Sequence, residues 1–141
     1  MSDSDFLLNQ LNLDSPHTLA TAIAMQKKAA SVGFDWPDIK GVIAKIQEEL
    51  DELKQEVHAQ AEKDRITAEL GDLLFACCNL ARHLEIDPEQ ALRHCNQKFY
   101  RRFNFVETRV SAAGRRFSDY TLEELDNFWN EAKLLEQGDD I

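Results

Sequence analysis

Two apolar seams constrain this chain more than any other feature. In the first, Ile39, Ile43, Ile46, Leu50, Leu53 and Val57 recur at alternating steps of four and three. In the second, Ile66, Leu70, Leu73, Cys77, Leu80 and Leu84 repeat the alternation. That spacing keeps one face of an α-helix apolar. Only a short polar segment separates the seams. They therefore predict two helices folded back on each other as an antiparallel hairpin, the first from near Pro37 to about Ala59 and the second from near Asp64, as N-cap, to about Leu84.

Three further helices flank the hairpin. Ser15-Pro16 opens one that runs to about Val32, with Leu19, Ile23 and Ala30 inward, and Gly33 closes it. Asp87-Pro88-Glu89-Gln90 combines a cap, a first-turn proline and a third-position glutamine, and starts a helix reaching about Ala113, before Gly114. Its stripe is Leu92, Cys95, Phe99, Val106 and Val110. Thr121-Leu122-Glu123-Glu124 is a capping box for a last helix carrying Leu125, Phe128, Trp129 and Leu135. No strand signal appears. The fold class is all-α, a helical bundle built on the hairpin. A single domain is expected over 15–137, with a loosely held arm at 1–14 and a frayed tail at 138–141. A subunit of thin hairpins needs more cover than it supplies itself.

The formal net charge of -10 argues against nucleic acid or an anionic membrane as partner, since both demand a basic footprint. No apolar run approaches the roughly 20 residues of a bilayer span, and the N-terminus lacks the charged-then-apolar pattern of a secretory signal. Cys77, Cys78 and Cys95 are odd in number and two are adjacent, so a disulfide framework is disfavoured and a reducing cytoplasm is expected. Cys77, on the seam, reads as a small buried hydrophobe.

Acidic runs on helices are usually solvated faces, but the hairpin imposes two constraints on this one. In an antiparallel pair, residues at one level share a constant index sum. Glu49 with Asp72 and Glu52 with Glu69 share the same sum, which places the turn between Gln60 and Ala61. Each of the four also lies one residue before its seam, a rotation of roughly 100°. Because the helices run oppositely, equal offsets send both stripes to the same flank. Four carboxylates therefore converge. Such a cluster takes up protons or a cation. Oxygen donors without Cys or His select a hard ion, with Mg²⁺ the natural choice beside a polyphosphate.

Cations accompany the acids. Lys45 lies one turn from Glu49. Arg65, on the same stripe, either pairs with Glu56, which shares the index sum, or touches phosphate. Lys98 and Arg102 occupy one face of the fourth helix, as Trp129 and Lys133 do on the fifth. Either pair is read as a phosphate or base contact, or as structural. Phe34 and Trp36 lie in a short loop, where they plug the core or, for Trp36, stack a nucleobase.

Glu48-Glu49-Leu50-Asp51-Glu52 followed by Glu69-Leu70-Gly71-Asp72 resembles the EExxE…ExxD signature of the MazG-type nucleoside triphosphate pyrophosphohydrolases. The likeness extends through Ala29–Trp36, Asp72–Ala76, Asn79–Leu84 and Asn96–Phe103, covers about residues 17–136, and is closest to the C-terminal domain of bacterial MazG. It implies Mg²⁺ on Glu49, Glu52, Glu69 and Asp72, and hydrolysis of NTP to NMP and pyrophosphate. It also implies substrate contacts at Lys45, Arg65, Lys98, Arg102, Trp129 and Lys133, to which Glu48 and, from its loop position, Trp36 are added as candidates, and a bundle completed by dimerisation or a higher homo-oligomer. The bacterial proteins carry two such domains in tandem and this chain has one, so it is expected to be a stand-alone homologue or one half of a longer protein. The rival expectations are a narrower dCTP or dUTP pyrophosphatase, separated by substrate profiling, and a non-catalytic nucleotide- or protein-binding module, which would bind without turnover.

Overall fold

In the computed structural model, residues 6–138 are described; the first five residues of the expected arm and the last three of the expected tail lie outside them. Five α-helices follow in order: α1 (Thr18–Ser31), α2 (Ile39–His58), α3 (Lys63–His83), α4 (Pro88–Ala112) and α5 (Leu122–Gly138), with a short 3₁₀ turn at Phe117–Asp119. No strand occurs among the described residues. The chain divides into two compact units, Met1–Ala91 and Leu92–Ile141.

In the first unit α2 and α3 form the expected hairpin, and α1 packs on α3. Asp38 caps α2, its carboxylate accepting from the Lys40 and Gly41 amides at 2.9 and 3.4 Å. The turn falls where the register put it: Gln60 takes the left-handed conformation at φ 53°, and the Ala61 amide donates to the Glu56 carbonyl at 3.0 Å. The α3 start differs by a residue or two. Glu62 holds the N-cap position and Asp64 lies in the first turn, where its charge still meets the positive helix end. Gly33 closes α1 as expected, at φ 89°.

The seams are less buried than expected. Val42, Ala76 and Cys78 form the buried apolar part of the hairpin, whereas Ile43, Leu50, Val57, Leu70 and Leu84 are exposed by about half. One helix, α1, covers only part of a two-helix face, so the outer rows stay open. The same offset corrects the cysteines: Cys77 is exposed and its neighbour Cys78 is the buried one, its thiol pushed up by desolvation.

In the second unit Val106, Val110 and Ala132 are buried. Thr121 and Glu124 complete the capping box, with Glu124 accepting from the Thr121 amide at 3.0 Å and Thr121 from the Glu124 amide at 3.1 Å. Phe99 stacks with Phe103 at 5.9 Å and Phe103 with Phe117 at 5.6 Å. Leu92 and Phe99 on the expected stripe are nevertheless exposed, as is Cys95.

Candidate metal and nucleotide site

Glu49, Glu69 and Asp72 each bring a carboxylate oxygen within 4.8 Å of the others. The hairpin register does this: α2 supplies Glu49, α3 supplies Glu69 and Asp72 one turn apart, and all three fall on one flank. The Arg65–Glu56 pair, at 2.8 Å, checks the register independently, because it joins two residues with the same index sum. Arg65 thus takes the structural partner that was one of its two readings.

The cluster is electrically unsatisfied. Glu49 is only 6% exposed, and Lys45 reaches one of its oxygens at 3.0 Å. Its Oε2 and the Glu69 Oε2 are buried with no hydrogen-bond partner. Orphaned buried acceptors are costly, on the order of 1–3 kcal/mol each. Glu52, beside them, has its carboxyl raised above the usual range, first by the negative charge of Glu49 and further by burial and by Glu69. Lys45 is shifted upward in turn, chiefly by its hydrogen bond to Glu49. It also lies 3.5 Å from Glu48, which otherwise faces solvent. The donor set is all oxygen, anionic, and partly stripped of water. It fits a hard divalent cation.

A cavity of about 750 Å³ opens beside the carboxylates, with Lys45, Glu49 and Asp72 on one wall and Met25, Ala29, Phe34, Trp36 and Phe75 supplying apolar surface. Gln26 lines it too, its Nε2 donating to the Phe75 carbonyl at 3.0 Å. The size and the few convergent polar groups are those of a small-molecule site. Trp36 and Phe34 do not plug the core: they are 45% and 82% exposed. Trp36 instead lies against the first turn of α2, so close that a Cβ at Gly41 would come 2.6 Å from its Cε3.

The remaining anticipated contacts all lie in the second unit. Arg102 pairs with Glu136 at 2.8 Å and lies 5.8 Å from the Trp129 ring centre. Arg102 holds the Glu136 carboxyl below the usual carboxylate range. Lys98 contributes a smaller share of that shift. Lys133, four residues beyond Trp129, is exposed.

One group escaped the sequence reading. Arg82 donates to Asp35 at 2.6 Å and to Asn79 at 2.8 and 3.0 Å, and His83 Nε2 lies 2.9 Å from the same Asp35 oxygen. Asn79 and Arg82, three apart on α3, carried the only legible hint.

Comparison with known proteins is decisive at this point, because the matched stretch begins at the α2 cap and contains both acidic clusters. Residues 38–106 match the MazG nucleotide pyrophosphohydrolase domain. The chain carries a MazG domain. It is 42% identical over 115 residues to the nucleoside triphosphate pyrophosphohydrolase/pyrophosphatase MazG of Thermotoga maritima, covering 82% of this chain and 44% of that protein. It is also 42% identical over 119 residues to the nucleoside triphosphate pyrophosphohydrolase of Escherichia coli, covering 84% and 45%. An uncharacterized Bacillus subtilis protein, YabN, is 46% identical over 72 residues, 51% of this chain and 15% of that one. The chain thus spans less than half the length of the MazG proteins it matches.

Proposed function

We propose that this chain hydrolyses nucleoside triphosphates to the monophosphate and pyrophosphate, with Mg²⁺ and with broad tolerance of the base. The observation that carries the reading is the convergence of Glu49, Glu69 and Asp72 with two buried, unpartnered oxygens beside a nucleotide-sized cavity. The names of the Thermotoga and E. coli relatives point the same way.

Glu49, Glu52, Glu69 and Asp72 would hold Mg²⁺, which supplies charge neutralisation to phosphate oxygens and lowers the pKa of water. The chain's own part is separable from that. Glu52, the one of the four outside the group whose oxygens lie within 4.8 Å of one another, is the candidate to orient the attacking water. Lys45 presents its ammonium at the cavity wall and exchanges Glu49 for a phosphate oxygen. Arg65 reaches phosphate only by giving up Glu56. Lys98, Arg102, Trp129 and Lys133 are assigned to phosphate and base, with Arg102 leaving Glu136 on binding. Glu48 tunes Lys45. Trp36 walls the base end of the cavity.

The domain is assigned to 15–137. The half-exposed rows on α2 and α3 favour a homodimer or higher homo-oligomer as the working form. The unpaired cysteines fit a cytoplasmic protein; among the described residues no helix is long and apolar enough to cross a membrane.

The test is incubation with each NTP and dNTP in Mg²⁺, with products resolved by ³¹P NMR. Monophosphate and pyrophosphate from several bases is the expected outcome. Turnover of dCTP or dUTP alone replaces broad tolerance by narrow specificity. Diphosphate and orthophosphate, or no product, overturns the reading.

A further inference from the structure

The Phe34–Trp36 segment is a loop, yet it forms one wall of the cavity that holds Glu49 and Asp72. A loop wall needs an anchor if it is to present a fixed surface to a ligand. The anchor here is a single carboxylate. Asp35 Oδ1 accepts from the Arg82 guanidinium at 2.6 Å, from the Trp36 amide at 2.8 Å and lies 2.9 Å from His83 Nε2. Arg82 is itself oriented by two bonds to Asn79, one turn back on α3. The side chains of Arg82, His83 and Asp35 are largely withdrawn from water, at 13%, 14% and 24% exposure. Arg82 thus spends two nitrogens on Asn79 and one bond on Asp35, in a pair less exposed than Arg109–Glu131. On the far side of the loop the Trp36 ring lies in the space that a side chain at Gly41 would fill.

We propose that Asp35 and Arg82 are positioning residues: they clamp the aromatic loop to α3 and so set the wall against which the nucleoside end of the substrate is held. The proposal rests on the nucleotide-site reading above. Both line the cavity themselves, but their bonds run to each other, to the loop and along α3, and none is made to a carboxylate of the cluster. The clamp therefore acts on substrate affinity and leaves the chemical step alone.

Two readouts test it. Asp35→Asn and Arg82→Gln are each expected to raise KM about tenfold while kcat stays within about twofold, with Arg82→Lys intermediate because it keeps the charge and loses the fork. The double variant is expected to be no worse than either single one, since both break the same contact. The second readout needs no turnover. The chain has two tryptophans, so Trp129→Phe leaves Trp36 as the only emitter. Its acrylamide quenching is expected to rise at least about twofold in Asp35→Asn, with helical circular dichroism unchanged. A fall in kcat at constant KM, multiplicative effects in the double variant, or unchanged quenching overturns the clamp. If the wild type yields no monophosphate, the nucleotide reading fails, and the quenching result still decides whether the loop is clamped.

Discussion

Two groups of acidic residues, one in each unit, are treated in opposite ways. In the second, Glu136 meets Arg102 and Glu131 meets Arg109; each acid found a cation in its own unit. In the first, Glu49, Glu69 and Asp72 are crowded together with Lys45 on Glu49, and two of their oxygens are buried without a partner. A folded chain tolerates such a deficit only when its stability elsewhere covers it, and functional sites are where that happens. Paired acids report on architecture. Crowded ones with buried, unpartnered oxygens mark the candidate site.

The sharpest way to break this contrast is to neutralise one acid of the cluster. Asp72→Asn or Glu52→Gln is expected to lower kcat by about 100-fold or more, measured as pyrophosphate release. Next in size is the metal linkage. Mg²⁺ at about 100 times its Kd is expected to stabilise the wild type by about 2.7 kcal/mol, and to do nothing for Glu49→Gln, read by thermal denaturation with and without EDTA. Without metal the ranking inverts, and Glu49→Gln is expected to melt above the wild type, because it relieves like-charge repulsion.

Gly41→Ala comes third. It drives a methyl into Trp36 and is expected to cost about 1–3 kcal/mol in chemical denaturation, as overpacking does. A smaller effect belongs to Asp35, whose carboxyl Arg82 holds at about 2 instead of 3.8. A depressed acid stabilises above its unfolded pKa. The advantage of wild type over Asp35→Asn should therefore be full above pH 3.8 and vanish as the pH falls through about 2. Solvent screening limits it to roughly 1 kcal/mol. Smallest is Glu131→Gln in the second unit, an exposed pair whose loss should cost under about 1 kcal/mol and leave turnover unchanged.

The hairpin and its register were legible in the sequence because helical geometry is periodic. Glu49 with Asp72 and Glu56 with Arg65 follow from counting residues about the turn at Gln60, and the structure pairs them so. Burial was not legible in the same way. Leu50 and Val57 have the pattern of core residues, but burial depends on which neighbour covers the row, and α1 reaches only part of it. Cys77 and Cys78 exchange roles for that reason. The Asp35–Arg82 clamp lay furthest from view. It joins residues 47 apart through a loop, where no period operates.

The central claim is that the crowded acids, not the paired ones, carry the chemistry. It is tested most directly by one assay: pyrophosphate released from a nucleoside triphosphate in saturating Mg²⁺ by the wild type, Asp72→Asn and Glu131→Gln. The account predicts full activity in the wild type and Glu131→Gln and a loss of about two orders of magnitude in Asp72→Asn. Equal activity in all three would contradict it.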